Sequence, residues 1–99
     1  MIRGSTPTHK LKLPIDTSLL GNLKIVYSQD DKQVLTKYLK DCTLDGNIAL
    51  VKLTQEETFL FDCKKDVEIQ IRAKTLGGDV VPSKPKIISV EKCLDDEVL

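Results

Sequence analysis

Apolar and polar side chains alternate along most of this chain with a period of two. That spacing puts every second residue on one face of a pleated strand. The clearest run is 67–74, where Val67, Ile69, Ile71 and Ala73 fall on one face and Glu68, Gln70, Arg72 and Lys74 on the other. Leu11, Leu13 and Ile15, alternating with Lys10, Lys12 and Pro14, predict a first strand over 8–13. Leu23, Ile25 and Tyr27 predict a second over 22–28, and Val34, Thr36 and Tyr38 a third over 33–39. Ala49, Val51 and Leu53 predict a fourth over 47–53. Val80 and Val81 form a short piece, and Ile88 and Val90 sit in a last strand over 85–92.

Turn chemistry separates these runs. Gln29-Asp30-Asp31-Lys32 reads as a hairpin loop of about four polar residues. Asp45-Gly46 admits positive φ cheaply and predicts a tight turn before the fourth strand; Gly77-Gly78-Asp79 does the same after the fifth. Pro82 and Pro85 cannot donate to a ladder, which confines them to a sheet edge or a strand switch. Leu19-Leu20-Gly21-Asn22 reads as a helical turn ended by Gly. Thr54 with Glu57 three residues later is a capping box, predicting one short helical turn near 55–60 that joins two strands.

Composition narrows the classes. The chain has 99 residues, the size of one small domain. Leu, Ile, Val and Phe make up about a third of it, enough for a folded core. Fifteen basic and fifteen acidic residues balance to zero net charge, which removes the basic excess of a general nucleic-acid binder. Four aromatic residues and no Trp leave no stacking platform for bases. No apolar run approaches the ~20 residues needed to cross a bilayer, and Met1-Ile2-Arg3-Gly4-Ser5 lacks an apolar signal core, so synthesis in the cytoplasm is expected. Residues 1–40 carry a net +4 and residues 41–99 a net −4. If these halves form separate faces, identical subunits would associate head to tail and weaken with salt.

Candidate chemistry is sparse. Cys42, Cys63 and Cys93 are an odd number with no Cys-x-x-Cys pair, a pattern that fits reduced thiols better than a disulfide framework or a zinc site completed by His9. His9 is the only imidazole, and a Cys–His9 nucleophile pair is a weaker reading than a rim histidine. Asp30-Asp31 reads as a solvated turn, since no Asp-x-Asp-x-Asp-Gly calcium loop is present. Lys64-Lys65 is too small to bind an anion alone, and no helix follows Gly77-Gly78 to meet a phosphate. The expectation is therefore no catalytic, cofactor-binding or metal site and no cofactor.

Two resemblances add to this. The Val67-x-Ile69-x-Ile71-x-Ala73 strand, Gly77-Gly78, Pro82-Ser83 and a final alternating strand resemble the last hairpin of a fibronectin type III or related immunoglobulin-like domain. Val67 stands where that family usually opens the strand with Tyr, and the early strands lack Trp, so the resemblance implies architecture only. The opening Arg3-Gly4-Ser5-Thr6-Pro7-Thr8-His9, the segments Asp41–Asn47 and Val51–Thr58, and the ending Val90–Leu99 resemble small Firmicutes and prophage proteins, which bring no activity and no functional residues. The opening is also similar to the N-terminal β-sandwich domain of phage baseplate upper proteins, which implies a tail or baseplate part and a virion-associated setting.

Together these readings predict an all-β, immunoglobulin-like β-sandwich of about seven strands. It forms one domain over 1–99, with a flexible N-terminal arm over 1–7 and an acidic tail over 94–99. The expected core is Leu11, Leu13, Leu23, Ile25, Tyr27, Val51, Leu53, Val67, Ile69, Ile71, Ala73, Ile88 and Val90. The expected function is a non-enzymatic structural or adaptor module of a phage tail or baseplate. Its partners would be proteins, a second copy of itself included, with no nucleic acid and no membrane. A carbohydrate- or cell-surface-binding module is the alternative, carried by Tyr27 and Tyr38.

Overall fold

The computed structural model of the protein describes residues 1–83 and 85–91. Among these, eight strands follow one another: β1 Thr8–Lys12, β2 Leu20–Gln29, β3 Lys32–Tyr38, β4 Cys42–Asp45, β5 Ile48–Lys52, β6 Val67–Thr75, β7 Val80–Pro82 and β8 Lys86–Ile88. One α-helical turn, α1 Gln55–Thr58, joins β5 to β6. The protein is all-β, with two antiparallel sheets. β1-β5-β4 form the smaller. β3-β2-β6 form the larger, and β7 and β8 share the far edge of β6. No described helix is long and apolar enough to cross a membrane.

The period-two pattern explains this arrangement. β6 buries Val67, Ile69, Ile71 and Ala73 and exposes the four polar residues between them. β2 buries Leu23, Ile25, Tyr27 and Gln29 in the same way. In the smaller sheet Leu11 lies opposite Ala49, and Val51 lies between His9 and Cys42. The two inward faces close on one cluster that also takes Leu13, Leu20, Leu53, Phe61 and Val90. All of the expected core is buried except Ile88, which is half-buried against it; Leu20, Ala49 and Phe61 are additions.

Local differences from the sequence expectation have identifiable causes. The β2–β3 loop is two residues rather than four, because Gln29 and Lys32 already pair in the ladder. Asp30 and Asp31 have φ of 53° and 62°, the positive values that a two-residue turn matching strand twist demands. Val34, Thr36 and Tyr38 locate β3, but Thr36 and Tyr38 mark its outer face; the register sets Leu35 against Tyr27 and Lys37 against Ile25 on the inner one, and Val34, at the register shift beside Leu35, also packs against the core. The turn expected at Leu19–Asn22 occurs earlier, as a 3-10 turn over Thr17–Leu19 capped by the Asp16 carboxylate, and Leu20 already begins β2. Gly21 serves close approach: a Cβ there would sit 3.0 Å from the Thr75 carbonyl oxygen. β4 was not anticipated, since Cys42-Thr43-Leu44-Asp45 lacks a clear alternation and is set as a strand by pairing with β5. The last strand ends at Ile88 rather than 92, with Val90 buried beyond it.

The expected capping box is present. The Glu57 backbone N–H donates to Thr54 Oγ1 at 3.2 Å, and the Thr54 backbone N–H donates to Glu57 Oε1 at 2.9 Å. Around this turn, polar side chains replace missing ladder bonds. Thr58 Oγ1 accepts from the Gly4 N–H and donates to the Ser5 carbonyl, while Arg3 donates from Nε to the Phe61 carbonyl and from Nη2 to the Phe59 carbonyl. Buried Gln29 donates through Nε2 to the carbonyls of Asp62 and Lys65 and accepts the Asp62 N–H on Oε1, pinning the loop that leads into β6.

Two substitutions separate these contributions. Ile69→Ala empties a core position and is expected to cost about 2–5 kcal/mol in urea denaturation. Gln29→Ala removes the three hydrogen bonds that the buried Gln29 side chain makes to the backbone of the 62–65 loop and is expected to cost about 1–3 kcal/mol. An Ile69→Ala protein as stable as the parent would refute the inward assignment of that face.

Candidate functional site

Two regions gather polar side chains. The first lies between the two sheets, near α1. His9 of β1 and Cys42 of β4 flank Val51 of β5 on the inner face, and Tyr27 of β2 meets them from the facing sheet. His9 Nδ1 and the Tyr27 hydroxyl are 2.7 Å apart, with the rings tilted at a centroid distance of 5.5 Å. Tyr27 in turn stacks against Phe61 at 5.9 Å. Lys37 of β3 pairs with Glu57 of α1 at 2.5 Å, both side chains largely covered. The Cys42 thiol points to the Tyr38 carbonyl at 3.5 Å.

The electrostatics of this cluster favour the neutral form of each of its three groups. Burial pushes the Cys42 thiol up from its ordinary value, Asp41 adds to that, and Lys37 opposes it weakly. A nucleophilic cysteine needs the reverse, because the thiolate is the reactive species. Burial lowers His9, helped by the N-terminal ammonium and Lys86, so the imidazole is neutral at pH 7. Burial, with Cys42 and Glu57, also raises Tyr27 and keeps it a phenol. His9 spends its Nδ1 on Tyr27, and no hydrogen bond joins it to Cys42. Tyr27 is fully buried, so of the two tyrosines only Tyr38 is open to a ligand.

The second region is the outer face of the larger sheet. The register lines up Tyr38, Lys24, Arg72 and Pro82 across β3, β2, β6 and β7. The next row is Asn22, Lys74 and Val80. Asn22, Lys24, Arg72, Lys74 and Val80 line a shallow concavity of about 220 Å³. Lys24, Arg72 and Lys74 make no ion pair among the described residues. Lys24 directly opposite Arg72 is also the only cation facing a cation across the described strand pairs. Such a pair destabilises a sheet.

Other residues weighed from sequence lie apart. Cys63 is a half-buried free thiol, and Cys93 lies outside the described residues. Asp30 forms an exposed ion pair with Lys65 at 3.4 Å, tying the hairpin tip to the Lys64-Lys65 loop. Gly78 takes φ +93° in the β6–β7 turn. No group of three metal-ligating side chains occurs among the described residues. Sequence reasoning missed the Lys24–Arg72–Lys74 face, because these residues occupy ordinary polar positions of alternating strands. Only the β2–β6 register reveals that they adjoin.

The pKa directions fix a pH dependence. His9 titrates lower when folded than its ordinary 6.5, so the unfolded chain takes up the proton first and stability falls as pH drops through about 6.5. Glu57 feels burial upward, but the Lys37 and Thr54 hydrogen bonds outweigh it and hold the carboxyl below its ordinary 4.5. Its stabilisation is present above 4.5 and is lost as pH falls below that value. Urea midpoints followed with pH are expected to show both declines, His9→Gln removing the upper and Glu57→Gln the lower. Comparison with family models, with curated proteins and with solved structures gives no match for the chain.

Proposed function

We propose that the protein is a non-enzymatic structural or adaptor module that works through protein–protein contacts. The observation that carries this reading is the outer face of the larger sheet, where Lys24, Arg72 and Lys74 adjoin without ion-pair partners beside exposed Tyr38. A small domain retains a like-charge cross-strand pair at a cost in stability. A partner that neutralises it recovers that cost. The polar cluster around Tyr27 supports the non-enzymatic half of the reading: its thiol is held protonated and its imidazole is committed to a phenol. A three-stranded antiparallel sheet against a larger antiparallel one supports an immunoglobulin-like architecture. The sequence resemblance supplies the setting, a phage tail or baseplate.

A carbohydrate-binding role is the second reading, and Tyr38 favours it. It is 43% exposed on the outer sheet face, where a sugar ring could stack.

Two measurements test this reading. In a Cys63→Ser, Cys93→Ser protein, Cys42 is expected to react slowly with a disulfide reagent at neutral pH and faster only as pH rises above about 8.5. Rapid thiolate-like reaction at pH 7 would overturn the non-enzymatic reading. On a glycan array no signal is expected; a signal abolished by Tyr38→Ala would transfer the assignment to sugar binding.

A further inference from the structure

We infer that the free edge of β1 takes an extended acidic segment of another protein as a fourth strand of the smaller sheet, with alternate apolar side chains of that segment entering the groove between the sheets. This rests on the protein-contact reading for the class of partner and adds a second surface to it.

The two sheets differ in width. The larger is four strand positions wide, with β7 and β8 in line along the far edge of β6, whereas the smaller has three strands. Only the turn Leu39–Asp41 connects β3 to β4, so those two edges lie together. The deficit falls at the other side, beyond β1. There Val81 stands opposite buried Ala73 and Ile88 opposite buried Val67. Directly opposite residues share a face, so both point to the interior, yet each is only half-buried. Between this uncovered strip and β1 lies a groove of about 220 Å³. Buried Leu11, Ile69 and Ile71 form its apolar floor, and exposed Lys10, Lys12 and Lys86 form its rim.

The edge of β1 also carries unpaired backbone. The Leu53 N–H donates to the Pro7 carbonyl and the Leu13 N–H to the Asn47 carbonyl. With the register between them, these bonds assign the odd-numbered residues of β1 to the ladder with β5. In an antiparallel ladder the alternate residues point their N–H and C=O groups the other way, so Thr8, Lys10 and Lys12 present theirs at the open edge. No other strand pairs with that edge among the described residues. A strand added there lies ~4.8 Å from β1 and covers the exposed strip.

Charge selects the occupant. Lys10 and Lys12 lie opposite Leu50 and Ile48, and neither makes an ion pair among the described residues. Lys86, opposite Ile69, faces the groove, and no described acidic side chain lines it. A second copy pairing β1 to β1 would set lysine against lysine, which destabilises a sheet. Lysine on an edge ordinarily deters such pairing. The same lysines favour a strand that sets carboxylates opposite them. The floor favours apolar side chains at the residues between, since successive side chains point to opposite faces. The occupant is therefore acidic and apolar in alternation, over about the length of Thr8–Lys12.

The test uses the full-length chain and the synthetic peptide Glu-Val-Glu-Val-Glu-Val-Glu, labelled for fluorescence anisotropy. The peptide is expected to bind saturably at about 30 mM salt and to weaken at least about tenfold by about 500 mM. Bound, it is expected to slow amide exchange at Thr8, Lys10 and Lys12, while His9 and Leu11, already bonded to β5, do not change. Two control peptides are expected to bind at least about tenfold more weakly: one with its Glu and Val residues in two blocks, and the alternating one N-methylated throughout, which has no N–H to pair. Lys10→Glu/Lys12→Glu is expected to reverse the preference, toward Lys-Val-Lys-Val-Lys-Val-Lys. Lys10→Pro removes an edge N–H that β5 does not use and is expected to lose binding with the fold retained. Should that variant not fold, the N-methylated peptide makes the same comparison on the parent.

Failure of the alternating peptide to bind at low salt, equal binding of either control peptide, or binding that leaves the Thr8, Lys10 and Lys12 amides exchanging as before would overturn the inference. So would self-association of the parent that slows those amides without peptide, since the added strand would then come from a second copy. None of these outcomes alters the thiol and glycan measurements, on which the protein-contact reading stands or falls separately.

Discussion

The facing of β2 and β6 sets everything else in this fold. They are the longest strands and pair over eight positions, from Leu20 opposite Thr75 to Ser28 opposite Glu68. Because side chains alternate, that single register decides two surfaces at once. It sends Leu23, Ile25, Tyr27, Ile69, Ile71 and Ala73 inward together. It also brings Lys24 beside Arg72 and Asn22 beside Lys74 on the outside. A slip of one residue would reverse both faces, so burial of the apolar set locks the cations into contact. Core packing thus holds a charged surface that its own electrostatics disfavour.

The strands and core were legible because they obey one local rule. In β6 four buried and four exposed residues alternate without interruption, and no helix produces that pattern. Turns were legible where residue chemistry is restrictive, as at Asp45-Gly46 and Thr54–Glu57. The sequence was less informative where pairing overrides local preference. β4 has the burial of an edge, one half-buried residue followed by three exposed ones, so it carries no amphipathic signal. The inner face of β3 carries Lys37, which reads as a solvent residue until Glu57 of α1 arrives beside it. The register slip between Tyr27 and Ser28 adds a further shift that alternation alone does not encode.

Non-local pairing governs the chemical reading in the same way. His9 reads as a rim residue between Thr8 and Lys10, yet β1–β5 pairing turns it toward Tyr27. A neutral imidazole can donate or accept at Nδ1 according to tautomer, and a phenol can do either, so one hydrogen bond satisfies both groups. That bond lets a hydroxyl sit in the core without an unmet partner; among the described residues no buried side-chain nitrogen or oxygen lacks one. Burial then pushes Cys42 toward the thiol and His9 toward neutrality. Placing a thiol and an imidazole in one interior does not make a nucleophile. The same burial favours the neutral imidazole and the protonated thiol, while each group bonds elsewhere.

The outer face obeys the opposite economy. A lysine opposite an arginine in water loses little at high salt, where exposed charges more than a few ångströms apart are screened. At low salt the repulsion grows, and with it the advantage of any anion that covers both. A surface of this kind couples ionic strength to association while leaving the buried layers untouched, since no core residue changes environment when the face is covered. Specificity would then come from shape. Tyr38, Pro82 and Val80 border the cations on the same sheet face, so an acidic strand flanked by apolar residues finds both charge and contact there, whereas a purely acidic one finds only charge.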